Sequence, residues 1–360
     1  MKQHFACLAL AAVLLTPPVC ANALQDRIDA ADKAAVRINR RTAASTTNVA
    51  QPAAVTIFGR HVLDEPLRIP QVCRLVFDGA VLDGSKLPDG QFAVEGGGHR
   101  VTISGSLSIV RAPNGIRLRT GTMRSNLALG NSRIDGVNFH GVRGVALDVQ
   151  CRSNVLTVEN CTFDGCGQVL VSRMCDDITL RHCSVAGSGF AGPPITHSHG
   201  RLLLDGGIYT PLPSARTDSG RAWVELTGAS QELMFTARDA RFGGEFGGWA
   251  VVRNSARGRT SYPSSPGVVI ALERCNVGNV PGKGQPHESL VILDEPPNQL
   301  RIHGCHGMVL PKPLVTLGDG FDSSGFSPAG LNNRLMVDVG LHPRVRPGEE
   351  LPEEIKRFQP

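Results

Sequence analysis

The chain has 360 residues, is 41% hydrophobic and carries a formal charge of +5 at neutral pH. That length buries a large core, either as two ordinary domains or as one long repeat array. The mild charge, with no Lys/Arg-dense block, argues against nucleic acid as a partner, and with Trp 2 and Tyr 2 there are few aromatic platforms for stacking sugar rings.

The first segment reads as a targeting signal. Lys2 and His4 precede the apolar run FACLALAAVLL, and Ala21 to Ala23 supply small residues for cleavage before Leu24. PPV before Cys20 is a poor lipobox, so lipid anchoring is not expected. No later apolar run approaches the ~20 residues of a membrane span. An exported protein, periplasmic or secreted, is expected.

From Ala23 to Arg40 the apolar residues Leu24, Ile28, Ala31, Ala35 and Ile38 recur at helical spacing. A capping helix followed by a linker is expected over 24–54. From residue 55 the pattern changes to period two, and one phrase recurs. NVLTVENCTFDG (154–165) and DDITLRHCSVAG (176–187) place apolar residues and cysteine identically. The anchor of each copy falls at Ala80, Ser106, Val137, Cys161, Cys183, Gly207, Ala240, Cys275 and Cys305. Spacing of this size means stacked repeats. Inside each copy the alternation shifts phase across a polar step, as at Glu159-Asn160, which predicts two short strands joined by a tight corner. A further strand belongs to each coil: 146–149, 168–171, 222–226, 249–252, 289–293 and 313–317. The fold class predicted is all-β, a single-stranded right-handed parallel β-helix over 55–320 with an N-terminal capping α-helix. Over 321–360 one strand, LMVDVGL, and an exposed tail are expected.

Stacking places like residues together, so Cys161 should neighbour Cys183, and Cys275 should neighbour Cys305. Phe163, Val185, Phe242 and Val277 should form one inward row. Cys151, Cys166 and Cys175 fall at corners and are expected to be oxidised in an exported protein, with the pairing open.

The segment VTIFGRHVLDEPLRIPQVCRLVFDGAVLDGS (55–85) resembles the first coil of the bacterial pectate-lyase-like right-handed β-helix proteins, and the resemblance runs to about Gly320. That family includes lyases, hydrolases, epimerases and non-enzymes, so it implies architecture rather than one activity. Longer insertions, at 188–200, 210–221, 243–248, 256–267 and 278–289, are expected to line a groove. Beside them lie Arg173, Asp176, Asp177, His197, His199, Glu225, Arg253, Asp294 and Glu295. For a lyase of acidic polysaccharides the resemblance implies Arg173 and Arg253 gripping uronates and His197 or His199 taking the proton. Glu225 and Asp294 would contact substrate, and Asp176 and Asp177 would hold Ca²⁺. CDD followed by SHG is similar to part of the polygalacturonase pattern, but the remaining hydrolase motifs are missing. The alternative is a non-catalytic carbohydrate-binding or structural β-helix of the cell envelope.

Overall fold

In a computed structural model of the chain, the described residues are 19–42, 53–97, 100–119, 130–151, 154–187, 190, 192–211, 222–230, 232–243, 249–258, 267–277, 289–295, 297–307, 315–318 and 334–338. The fold is an all-β parallel β-helix preceded by one helix. It divides into two compact units, Met1–Gly167 and Gln168–Pro360.

The described part of the first unit opens with the two-residue strand Val19–Cys20, parallel to His61–Val62, and helix α1 (Ala21–Thr42), which buries Leu24, Ile28 and Ala35. Those three are among the positions the helical periodicity selects. The helix answers a physical problem, because the first coil of a β-helix has backbone groups with no preceding strand to pair them. Gln25 reaches one of them in both directions. Its Nε2 donates to the Arg68 carbonyl (3.0 Å) and its Oε1 accepts from the Arg68 N–H (2.9 Å). Arg27 donates to the Thr56 carbonyl at 2.7 Å.

Four long strands follow, Ala53–Val62, Val72–Asp83, Arg100–Val110 and Gly130–His140, then the split pair Asn154–Glu159 and Thr162–Asp164. They pair in parallel, so that Val55, Leu75, Ile103, Ile134 and Val158 stack in one row. The opposing sheet stacks Leu67, Val94, Ile116 and Leu147. Where the sequence pattern predicts a tight corner, these four strands run straight on through a bulge. Register shifts occur at Phe58/Arg60, Phe77/Ala80 and Ser104/Leu107. Gly59, Gly79, Gly105 and Gly136 all adopt positive φ there. A Cβ on Gly105 would lie 2.1 Å from the Phe77 carbonyl oxygen, so only glycine fits. The bulge also makes Leu107, not Ser106, the true anchor of its coil, in register with Ala80 and Val137.

In the second unit the corner is a real break. One sheet contains Asp177–Arg181, Gly200–Asp205, Glu232–Arg238, Gly267–Glu273, Gln299–His303 and Arg334–Asp338, the last within the predicted LMVDVGL segment. Its strands end at His182, Gly206, Asp239, Arg274 and Gly304, each in the left-handed region with φ between 50° and 69°. The N–H of each of the first four donates to a carbonyl of the next coil at 2.8–3.0 Å. The opposing sheet stacks Gln168–Ser172, Ile195–His197, Ala222–Leu226, Ala250–Asn254, Val291–Leu293 and Val315–Leu317 in chain order.

The core is built of repeated rows. Val185, Tyr209, Phe242 and Val277 are in register and buried, and the Tyr209 and Phe242 rings stack at 4.9 Å. In the first unit Phe163 stacks on Phe139 at 4.9 Å with an interplanar angle of 4°. Cys73, Cys151, Cys161, Cys166, Cys175, Cys183, Cys275 and Cys305 are buried, and none of them is in a disulfide in this structure. Cys151, Cys166 and Cys175, expected to be oxidised, are among them: they face inward at the corners and pack there as small hydrophobes.

Candidate functional site

The strands that bear most of the sequence-selected residues are neighbours in the second unit. Register aligns Ser172, His197, Leu226 and Asn254 in one row and Val171, Thr196, Glu225 and Arg253 in the next. Ile195–His197, placed within an insertion by the sequence pattern, is instead the rung between Gln168–Ser172 and Ala222–Leu226, and the expected faces differ as well. A strand alternates its side chains, so these two rows lie on opposite sides of the sheet.

His197 belongs to the inner row with Ile195 and is fully buried. This corrects the expectation that it faces a groove beside Arg253. Its Nε2 donates to the Gly200 carbonyl (3.2 Å), while Nδ1 is buried with no hydrogen-bond partner. The hydroxyl of Ser172, its register neighbour, is likewise buried without one. Burial pushes the imidazole down to about 4, despite the opposing pull of the Gly200 carbonyl. A neutral histidine sealed in the core cannot take a proton from a polymer outside.

Glu225 and Arg253 are half-buried on the outer row, one above the other. Asp294, from the corner after Val291–Leu293, chelates Arg253 through Nε–Oδ2 (2.6 Å) and Nη2–Oδ1 (3.0 Å). Ser255 Oγ adds a hydrogen bond to Asp294 at 2.7 Å. Burial alone would raise the Asp294 carboxyl, but hydrogen bonds from Arg253 and Ser255 outweigh it and hold the group below its ordinary value. The guanidinium expected to grip substrate carboxylates is thus already matched by a carboxylate of the protein.

Arg173 is exposed in the turn after Gln168–Ser172, and His199 is half-buried at the next corner. Asp176 is exposed and Asp177 half-buried, with Arg201 3.7 Å from Asp177. Burial raises the Asp177 carboxyl, Arg201 opposes this and Asp176 adds to it. Among the described residues no group of three or more His, Cys, Asp or Glu gathers as a metal site, so the Asp176–Asp177 pair has no third such ligand. The insertions expected to wall the groove lie mainly outside the described residues, at 212–221, 244–248, 259–266 and 278–288.

What the sequence reading missed is a second column along the corner. Ser198, Thr227, Ser255 and Asp294 occupy equivalent places, and their N–H groups donate to the Ser172, His197, Leu226 and Asn254 carbonyls at 2.9–3.2 Å. Beside it runs the outer row Thr196, Glu225, Arg253, Ile292 and Thr316. Polar side chains therefore repeat at the ~4.8 Å strand spacing through the coils of Thr196, Glu225 and Arg253, and Ile292 interrupts the outer row in the next. The signal was in the sequence, in the hydroxyl residues THS, LTG and RNS that follow each strand.

Both tryptophans and Tyr209 are spent elsewhere. Trp223 and Trp249 are both buried, their rings 5.0 Å apart, with Phe190 against both and Tyr209 against Trp223. No family model matches the chain, and no curated protein or solved structure matches it.

Proposed function

We propose that the protein is an exported, non-catalytic β-helix that binds a hydroxyl-rich polysaccharide along the outer strip of the second unit. The observation that carries this reading is the double column of Thr196, Glu225 and Arg253 beside Ser198, Thr227, Ser255 and Asp294, repeated at the spacing of the strands. Such an array offers a polymer one hydrogen-bonding group on each column in three consecutive coils. A pre-paired Arg253 and Asp294 stay rigid and bind hydroxyls as donor and acceptor without an unmatched charge. The pectate-lyase-like reading needs an unmatched cation and a reachable base in the same place. Arg253 and His197 do not supply them.

Affinity gels and pull-down on a panel of neutral polysaccharides and polyuronates test this. Binding to a neutral polymer is expected, weakened at least about tenfold, or ~1.4 kcal/mol, when Thr196, Glu225 and Thr227 are all changed to Ala. Binding confined to polyuronates, or an absorbance rise from unsaturated product, would restore the lyase reading.

A further inference from the structure

The register of the second unit fixes which buried thiols are neighbours. Arg181 pairs with Asp205 and Ser184 with Ile208, so Cys183 stacks on Gly207. The same argument stacks Gly207 on Ala240 and Ala240 on Cys275. Glu273 pairs with His303 and Asn276 with His306, which puts Cys275 directly against Cys305. Cys183 is therefore separated from Cys275 by two coils that carry no thiol, whereas Cys275 and Cys305 occupy adjacent ones.

We propose that Cys275 and Cys305 are the site of an intramolecular disulfide, formed while the last coils assemble in an oxidising environment. In-register neighbours in parallel strands have Cα atoms ~4.8 Å apart, inside the ~4.4–6.8 Å range of disulfides. Both cysteines follow a residue with the same left-handed backbone, Arg274 (φ 51°) and Gly304 (φ 61°), so their Cβ atoms project alike. Closing the bond needs the two Cβ atoms to approach by about 1 Å. Both sulfurs are buried in the folded coils, and the Cys275 thiol donates to the Ala237 carbonyl at 3.3 Å. Before these coils close both thiols are exposed, so either can attack first with the same balance.

The step is thiol–disulfide exchange with a small-molecule or protein disulfide. With Cys305 first, its thiolate attacks that disulfide, forms a mixed disulfide and releases one thiolate. Cys275, losing its proton, then attacks the Cys305 sulfur and releases the second. Two protein thiols are oxidised, one external disulfide is reduced to two thiols, and the two protons go to solvent or to the departing thiolates. In the finished fold both sulfurs are fully buried, so exchange must precede closure of these coils.

The test is independent of any polysaccharide and of where the protein resides. Unfolded, reduced protein is refolded with a mixture of oxidised and reduced glutathione or with dithiothreitol, then denatured, alkylated and digested with trypsin. Cleavage after Arg274, Lys283 and Arg301 puts the two cysteines in separate peptides. The expected product of the glutathione arm is the linked pair of those peptides, two hydrogens lighter than their sum and absent from the dithiothreitol arm. Cys305→Ser should abolish the link and leave Cys275 alkylated or glutathionylated. The wild-type peptide map decides by itself if that variant does not fold. Full alkylation of Cys275 and Cys305 after oxidative refolding, or Cys275 linked to another cysteine, overturns the proposal.

Discussion

At residue scale, the two sides of one strand explain most of the difference between expected and observed roles. In PITHSHG, Ile195 and His197 are two residues apart and share a face, so the apolar partner already indicates that His197 points inward. Its depressed pKa has a measurable consequence. The unfolded chain binds a proton near the ordinary value of 6.5, whereas the folded protein resists protonation until about pH 4. His197 therefore leaves stability intact above pH 6.5 and removes it progressively as pH falls toward 4, by about 3 kcal/mol in all. Denaturant midpoints measured from pH 7 to 4.5 should fall for the wild type and fall less for His197→Leu. His61, whose pKa burial also lowers, contributes a remaining slope. A second test concerns the stacked rings. Phe163→Ala should cost about 3–5 kcal/mol, since Phe163 is fully buried against Phe139 and the site cannot collapse without moving the adjacent coil. A melting temperature close to that of the parent would show that Phe163 is not a core residue.

At the scale of elements, the same repeat is built in two ways. The first four long strands pass the corner position through a glycine bulge, and from Asn160 (φ 52°) onward the strands end there in a left-handed residue. Arg274 and Asp239 take that conformation without glycine and form a bidentate ion pair with each other at 2.7–2.8 Å. Gly105→Ala is expected to cost about 2 kcal/mol or more, because a Cβ meets the Phe77 carbonyl and φ is 97°. Thermal melts of this variant beside Gly90→Ala check that assignment, since at Gly90 (φ 83°) no atom obstructs a Cβ and only the backbone cost applies. Helix α1 is the other element with a defined task. Gln25→Ala should destabilise by about 1 kcal/mol, and deletion of α1 should expose the first coil and cause aggregation, read by light scattering. A deletion variant that stays monomeric and melts unchanged would remove the capping role.

At the scale of the whole molecule, opposite charges alternate in register along one outer row of described residues in each unit. In the second unit Arg181, Asp205, Arg238, Glu273 and His303 form one row in register, and Arg238 and Arg181 together hold the Asp205 carboxyl at about 2. In the first unit Arg68, Glu95, Arg117 and Asp148 alternate in the same manner. Charges arranged so give a polymer little net field to follow. Polysaccharide binding should therefore change less than about threefold between low and ~0.5 M salt, where screening is nearly complete. A steep salt dependence would instead mark an unmatched basic groove. No helix among the described residues is long and apolar enough to cross a membrane.

The parallel β-helix, its N-terminal helix and the inward rows were legible in the sequence, because every coil must fill the same core slots and so repeats the same pattern; the short rung Ile195–His197, set in a Gly/Pro-rich stretch, was not. Cys275 and Cys305 could be placed side by side for the same reason. Pattern alone did not decide whether a coil bulges or breaks at its corner. That depends on whether the preceding carbonyl leaves room for a Cβ, as at Gly105. Nor did it decide that Arg253 is chelated by Asp294, a residue 41 positions away. Ion pairing is set by distances between coils, and those exist only once the chain is wound.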